Sequence, residues 1–231
     1  MVTLKKIILW NFRLLALLPA MAVLSSGPVM AAGCPENPAS PTVTVTTSPG
    51  QIILKRGSSR DDLIRLQATN NASVPNKNGY PLGLTLTDFR YSIETGVNIR
   101  QLSAGRYCAY PASFDLDIRF SDFLVYIDRR YKRGSCEYKA VNRHEYTHVV
   151  LYRKQLERHL PNLRHQAQTA ARRIKPIIVR TPNDGVKLIQ KAMQDKMTPL
   201  IDSLSRDADT ANARIDTPES YRKIQKQCRN W

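Results

Sequence analysis

Carboxylates are scarce in this chain: 19 Asp and Glu stand against 35 Lys and Arg in 231 residues, a formal charge of +16. Such a balance speaks about partners and solubility, not about fold. Histidine occurs four times, cysteine four times and glycine ten times. The glycines follow no period, which excludes a collagen-like chain. Sustained heptads are missing, which excludes a long coiled coil. Only one apolar run is long enough to matter, which excludes a multi-span membrane protein. No two cysteines stand in CxxC spacing, which argues against redox chemistry and cysteine-ligated zinc. Internal repeats and low-complexity segments are lacking too. What is there, 42% hydrophobic and 23% charged, suffices to build a core in an ordinary domain.

The apolar run belongs to the first thirty residues. Lys5, Lys6 and Arg13 form a positive region, Leu14 to Leu24 an apolar one, and Val29-x-Ala31 a small-residue site. Residues 1–31 read as a cleaved signal peptide, and the chain as secreted or periplasmic. An uncleaved anchor is the alternative, weakened by Pro19, Ser25, Ser26, Gly27 and Pro28. A loose lipid-attachment box at Ala31-Ala32-Gly33-Cys34 is a third reading. Cleavage leaves Cys34, Cys108, Cys136 and Cys228, an even number suited to two disulfides. The favoured pairing is Cys108–Cys136 with Cys34–Cys228, the second tying the two ends together. Loss of Lys5, Lys6 and Arg13 lowers the charge to about +13. Anionic lipid head groups or an anionic envelope polymer are then the expected charged partners. Without aromatic interleaving of the basic residues, no nucleic-acid partner is expected. Nor is any transmembrane span expected after cleavage.

Residues 32–50 read as an extended lead-in, and 51–231 as one domain, β-rich over 51–134 and helical over 135–231. Thr42 to Thr47 alternates as a half-buried strand does, and Gln51 to Lys55 is expected to pair with it across Pro49-Gly50. Ser59-Arg60-Asp61-Asp62 reads as a helix start. Asn70 to Gly79 reads as a loop. Leu84 to Ile93 reads as one long strand with a bulge, and Tyr107 to Phe120 and Phe123 to Asp128 continue the β pattern. A helix is expected from Cys136 to Leu160, stopped by Pro161, with a shorter one to Ile174. A long helix follows from Gly185 toward Asn212, capped by Asn183-Asp184. The expected class is α+β: a twisted, mostly antiparallel sheet packed against two long helices.

Within the first of these helices lies His144-Glu145-Tyr146-Thr147-His148, an HExxH motif. Four residues advance a helix by about 400°, so both imidazoles share a face, one turn apart. Two nitrogens so placed suit one Zn²⁺. Glu145, about 100° round, is placed to take a proton from a zinc-bound water. Val141, His144, His148, Leu151, Tyr152 and Gln155 share the stripe, widened by Val149 and Val150. Two histidines on a buried stripe need partners, and a metal is one.

A third protein ligand is required. A metzincin extension is absent, since positions 151 and 154 are Leu and Lys. A thermolysin-like downstream Glu is absent too, because no Glu lies between Glu157 and Glu219. Glu157 points away from His148. His159 lies about 16 Å along the axis from it, and suits a supporting or surface role better. In the second long helix, Val186, Ile189, Met193, Met197, Leu200 and Leu204 form a stripe that continues to Asp207 and Ala211. Asp207 is thus one candidate. Asp216 and Glu219, just beyond, are the others, and the residues alone leave the choice open.

The stretch Cys136 to His148 (CEYKAVNRHEYTH), with the export signal, the β region before it and a later Asp segment, resembles a family of predicted secreted bacterial zinc-dependent proteases, zincin-like and catalogued as a domain of unknown function. The resemblance spans roughly Cys108 to Tyr221, and its specific part is HExxH. It implies metallopeptidase activity, with His144 and His148 as zinc ligands and Glu145 as base. It tilts the third ligand toward Asp216. The expected function is zinc-dependent hydrolysis of peptide bonds in a peptide or protein substrate. Two rivals stand beside it: a non-catalytic zinc-stabilised envelope module, and a zinc amidase acting on peptidoglycan stem peptides. HExxH peptidases resemble one another in laying an extended substrate along a sheet edge. Here Phe123 to Asp128 is the expected edge, with Tyr126 or Tyr152 as a donor to the developing oxyanion.

Overall fold

The structure is a computed structural model, and it describes residues 33–36, 39–70 and 80–231. The signal-peptide segment and most of the expected Asn70–Gly79 loop lie outside these residues. The elements in chain order are β1 (Thr42–Thr46), β2 (Ile52–Lys55), α1 (Arg60–Thr69), β3 (Gly83–Leu86), β4 (Phe89–Ser103) and β5 (Arg106–Phe120). They continue with β6 (Phe123–Ile127), α2 (Cys136–Arg173), β7 (Ile177–Val179), α3 (Pro182–Ala213) and α4 (Pro218–Gln225). The class is α+β, and three of the five strand pairings are antiparallel.

The strands form two sheets. One has the order β1-β5-β4, with β7 also on β5; the other has the order β2-β6-β3. The expected β1–β2 hairpin does not form. β1 runs parallel to β5 and β2 parallel to β6, so the first strands track two later ones in the same order. The link between them is anchored elsewhere: Gln51 N donates to Asp122 Oδ1 at 2.9 Å, and Arg153 donates to the carbonyls of Pro49 and Gly50 at 2.9 and 2.6 Å. Pairing with the long strands lets Val43, Val45 and Leu54 pack on the main core, which a two-stranded ribbon does not offer.

The single strand expected over Leu84–Ile93 is two strands in different sheets, broken at Thr87-Asp88. That break meets the Ser121-Asp122 break between β5 and β6. Ser121 N donates to the Asp88 carbonyl at 2.8 Å, and Asp88 N to Ser121 Oγ at 2.9 Å. Both chains change sheet at one corner. The irregularities in register fall later, at Gly96/Val97 and Gln101/Ser103.

α1 starts as its sequence suggests: Ser59 accepts from Asp62 N, and Asp62 reaches back to Ser59 N, a reciprocal capping box. α2 does not stop at Pro161 but runs on to Arg173. Proline removes one backbone donor and crowds the preceding turn, at about 3 kcal/mol or more. Leu163, Ala167, Ala170 and Ala171 are buried beyond it, and that burial outweighs the break. α3 begins earlier than expected, with Thr181 as the capping residue, Pro182 in the first turn and Asp184 donating its N–H to Thr181 Oγ1. β7 and α4 are additions to the sequence reading.

The main core lies between the β1-β5-β4 sheet and the two long helices, around Phe114, Leu116, Ile118, Met193, Met197 and Ile201. Gly185 permits α3 to approach β5, since a Cβ there would stand 2.5 Å from Ala109 Cβ. A smaller cluster gathers Leu82, Ile127, Ala140, Val141 and Ile224. The disulfides differ from the expected pairing: they join Cys34 to Cys108 and Cys136 to Cys228, with Cα–Cα distances of 5.6 and 5.8 Å. Cys108 sits beside β7, whereas Cys136 opens α2 next to α4, so the expected Cys108–Cys136 bridge has no short path. Cys34 sulfur is committed to Cys108 and is not open to a lipid. Two disulfides suit an oxidising compartment. No helix among the described residues is long and apolar enough to cross a membrane.

Candidate metal centre

His144 and His148 lie one turn apart on α2, ring centroids 4.8 Å apart and nearly perpendicular. At the end of α3 the chain turns back, with Ile215 N bonded to the Asn212 carbonyl and Asp216 N to the Ala213 carbonyl. This turn delivers Asp216 to the histidine pair. Thr217 then caps α4.

His144 Nε2 lies 3.0 Å from Asp216 Oδ1, His148 Nε2 lies 3.1 Å from the same oxygen, and the two Nε2 atoms are 3.3 Å apart. Three donors around one tetrahedral zinc, at about 2.0–2.1 Å each, stand roughly 3.3 Å from one another. The three atoms therefore form nearly the face such an ion presents.

The proton inventory points the same way. Asn212 Nδ2 donates to the Ala208 carbonyl at 2.8 Å, which turns its Oδ1 toward His148. That oxygen accepts from His148 Nδ1–H at 2.9 Å. In the neutral ring, Nε2 then carries a lone pair aimed at another acceptor, Asp216 Oδ1. A proton added to one ring satisfies one edge of the triangle, whereas a divalent ion satisfies all three. The titrations express this demand for a cation. Burial pushes Asp216 up, but hydrogen bonds from His144 and His148 outweigh it and hold the carboxyl below its usual range. Burial pushes His148 down, but the Asp216 hydrogen bond and the charges of Glu145 and Asp216 outweigh it and raise the imidazole.

Glu145 is 2% exposed, beside the triangle and not in it. Burial raises its pKa above the ordinary carboxylate value, against the pull of His148 and His144. Thr85 Oγ1 of β3 lies 2.8 Å from Glu145 Oε2 and 3.1 Å from its carbonyl oxygen. β3 approaches this closely because residue 83 is glycine: a Cβ there would meet Glu145 Oε1, the Tyr126 carbonyl and Val141 Cγ1, each at 2.8 Å.

The other candidates fall elsewhere. Asp207 pairs with His159 at 2.9 Å, and Glu219 pairs with Lys223 at 2.8 Å on the surface. The buried line of α3 runs through Ile201, Leu204, Ala208 and Asn212, so Asp207 is turned about 100° from Ala208. Leu200 and Val186 are only half-buried, and Val150 is exposed. Phe123–Ile127 is no sheet edge: β6 has β2 on one side and β3 on the other. The edge beside Glu145 is β3. Tyr126 does not line the cleft, whereas Tyr152 does, packed on Phe120 and Phe123 with centroids 5.0 and 5.9 Å away. Burial pushes the Tyr152 phenol up to about 12.

Besides Gly83 and Thr85, Asn212 and Tyr221 escaped the sequence reading. Asn212 stood at the expected end of the second long helix, off the stripe that was followed to Ala211, and was given no role. Tyr221 of α4 stands edge-on to His144 at 5.5 Å, its phenol raised mainly by burial. The signal for it was Thr217-Pro218, a cap followed by proline, which opens a helix and turns Tyr221 and Ile224 to one side.

The cleft holds about 540 Å³ and is lined by β3, Tyr152, Tyr221, Glu145, His148 and Asp216. Asp88, Asp122 and Asp209 also line it, and among the described lining residues there is no Lys or Arg. On a chain this basic, the cleft is acidic. No protein family, curated protein or solved structure matches the chain.

Proposed function

We propose that the protein is an exported zinc metallopeptidase, with His144, His148 and Asp216 as ligands and Glu145 as general base. The observation that carries this is the triangle of His144 Nε2, His148 Nε2 and Asp216 Oδ1, with edges of 3.0, 3.1 and 3.3 Å, beside a buried glutamate in an open cleft. Bound zinc would supply a Lewis acid that polarises a carbonyl and renders water acidic near neutral pH.

The residues divide the remaining work. Asn212 holds His148 in the tautomer whose Nε2 is free to ligate. Thr85 fixes the Glu145 carboxylate at the cleft wall. Glu145, buried beside the triangle, is placed to accept the proton of an attacking water and to return it to a leaving amine. Tyr152 and Tyr221 keep their protons at neutral pH, so each is a hydrogen-bond donor for an oxygen gaining charge. Among the described residues β3 has no strand on its outer side, and that edge suits an extended peptide backbone. Asp122 and Asp209 favour substrates with basic side chains, whereas Asp88 is paired with Arg90 at 3.0 Å.

The open cleft favours this reading over a purely structural zinc site, which is closed by four protein ligands. Glu145→Gln separates the two. Turnover of an unfolded protein substrate is expected to fall by about 10²-fold or more, with zinc still stoichiometric. An unchanged rate would reject the assignment of the base. Absence of zinc from the unaltered protein would reject the centre.

A further inference from the structure

A second concavity lies at the opposite end of α2. It measures about 550 Å³ between the end of α2, β7 and the start of α3, and its lining is more apolar than polar. Ala170, Ile174, Ile177, Leu188, Ile189 and Ala192 form the aliphatic surface. Arg173, Lys175 and Lys196 stand on it and are exposed, and no acidic residue lines it.

The surroundings extend this character. Between residues 164 and 196 the chain carries eight Lys and Arg and two acids. Both acids are engaged: Asp184 bonds Thr181 at the helix cap, and Asp195 pairs with Lys191 at 2.7 Å. Leu188 is 52% exposed and Ile178 42%. The fold is also joined to the preceding chain at this end, because Cys34 is bridged to Cys108, which is in register with Ile178 of β7.

We propose that this end of the molecule docks on an anionic lipid bilayer. Arg173, Lys175 and Lys196 meet phosphate head groups, and Leu188 and the aliphatic groove enter the acyl boundary. Charge complementarity selects an anionic partner. The aliphatic floor selects lipid over a hydrophilic polyanion, which gains nothing from Ile and Leu, and the floor has no aromatic ring on which a nucleobase would stack. Docking is independent of the peptidase reading. His148 and Arg173 are 25 residues apart on one helix, roughly 38 Å, so the cleft stays clear of the surface.

Vesicle sedimentation with the full chain tests this, using phosphatidylcholine with and without about 30% phosphatidylglycerol. Arg173→Ala/Lys175→Ala/Lys196→Ala is compared with Lys132→Ala/Arg133→Ala/Lys139→Ala, which removes the same charge near the other end of α2. All six side chains are exposed, and intact disulfides check the fold of each variant. The groove variant is expected to lose roughly ten- to a hundredfold in affinity for anionic vesicles, and the control far less. Leu188→Gln is expected to weaken binding without a change of charge. Equal losses in the two triple variants would overturn the proposal, as would an unchanged groove variant, which would place binding in residues 1–32. Equal binding to neutral vesicles would overturn it as well. Groove-dependent binding of polyphosphate, with no groove dependence for vesicles, would replace lipid with a soluble polyanion.

Discussion

His148 has to be held from behind to serve as a ligand. Asn212 does this through one hydrogen bond, with its amide fixed by the Ala208 carbonyl. Asn212→Ala is expected to weaken zinc affinity by about 10- to 100-fold, read by chelator competition, while the fold persists. His148→Ala removes a donor and is expected to abolish stoichiometric zinc by elemental analysis. Gly83 is a finer probe. A methyl there would press on the Glu145 carboxylate, so Gly83→Ala is expected to lower turnover at least tenfold and to keep zinc, since the triangle is untouched. A peptidase rate equal to the unaltered protein would show that β3 does not set the position of Glu145. The histidines and Glu145 were legible in the sequence because HExxH is local, fixed by helical pitch. Asp216 was left among three acids because its place depends on a turn after α3, and no spacing rule carries across that turn. Gly83 gave no signal, because its close neighbours come from two other elements, α2 and β6, both distant in sequence.

Among the elements, α2 shows where local rules lose to packing. Pro161 is a sound stop signal in isolation, yet the helix crosses it with Leu163 and Ala167 buried beyond. Pro161 itself is exposed. Pro161→Ala is therefore expected to restore a backbone bond without disturbing the core, and to stabilise the protein by about 1–3 kcal/mol in denaturant unfolding. Periodicity found most of the strands, but it merged β3 with the start of β4, missed β7 and did not give the partners. β1 and β2 were placed side by side because they are neighbours in sequence, whereas each gains more from a longer strand in parallel. Pairing is a long-range choice, and a short alternating run does not encode it. The cleft wall makes a prediction of its own. Asp209 has a carboxyl raised by burial and lines the cleft, and no cation pairs with it among the described residues. Asp209→Asn is expected to lower kcat/KM for peptides bearing Lys or Arg about fivefold to tenfold, and to leave uncharged peptides unchanged.

At the scale of the whole molecule, the two disulfides hold different things. Cys34–Cys108 pins the start of the described chain to β5, and Cys136–Cys228 pins its end to α2. In the chain-entropy picture each contributes about 4–5 kcal/mol for loops of 74 and 92 residues. Replacing either pair is expected to lower stability by a similar amount. Zinc retention is expected to part them: Cys136→Ser/Cys228→Ser loosens α4 and weakens binding tenfold or more, whereas Cys34→Ala/Cys108→Ala leaves it intact. An even cysteine count foretold two bridges; their connectivity needed the topology, since four cysteines allow three pairings. The segment bearing Asp216 is secured on one side by α3 and on the other by a covalent bond that a reducing cytosol does not permit. Without that bond, the Asp216 segment is held beyond α3 by the packing of Ile224 and Tyr221. On the proposed metal reading, closing this bridge comes before a firmly held ion, and the reduced chain is expected to bind zinc more weakly than the oxidised one.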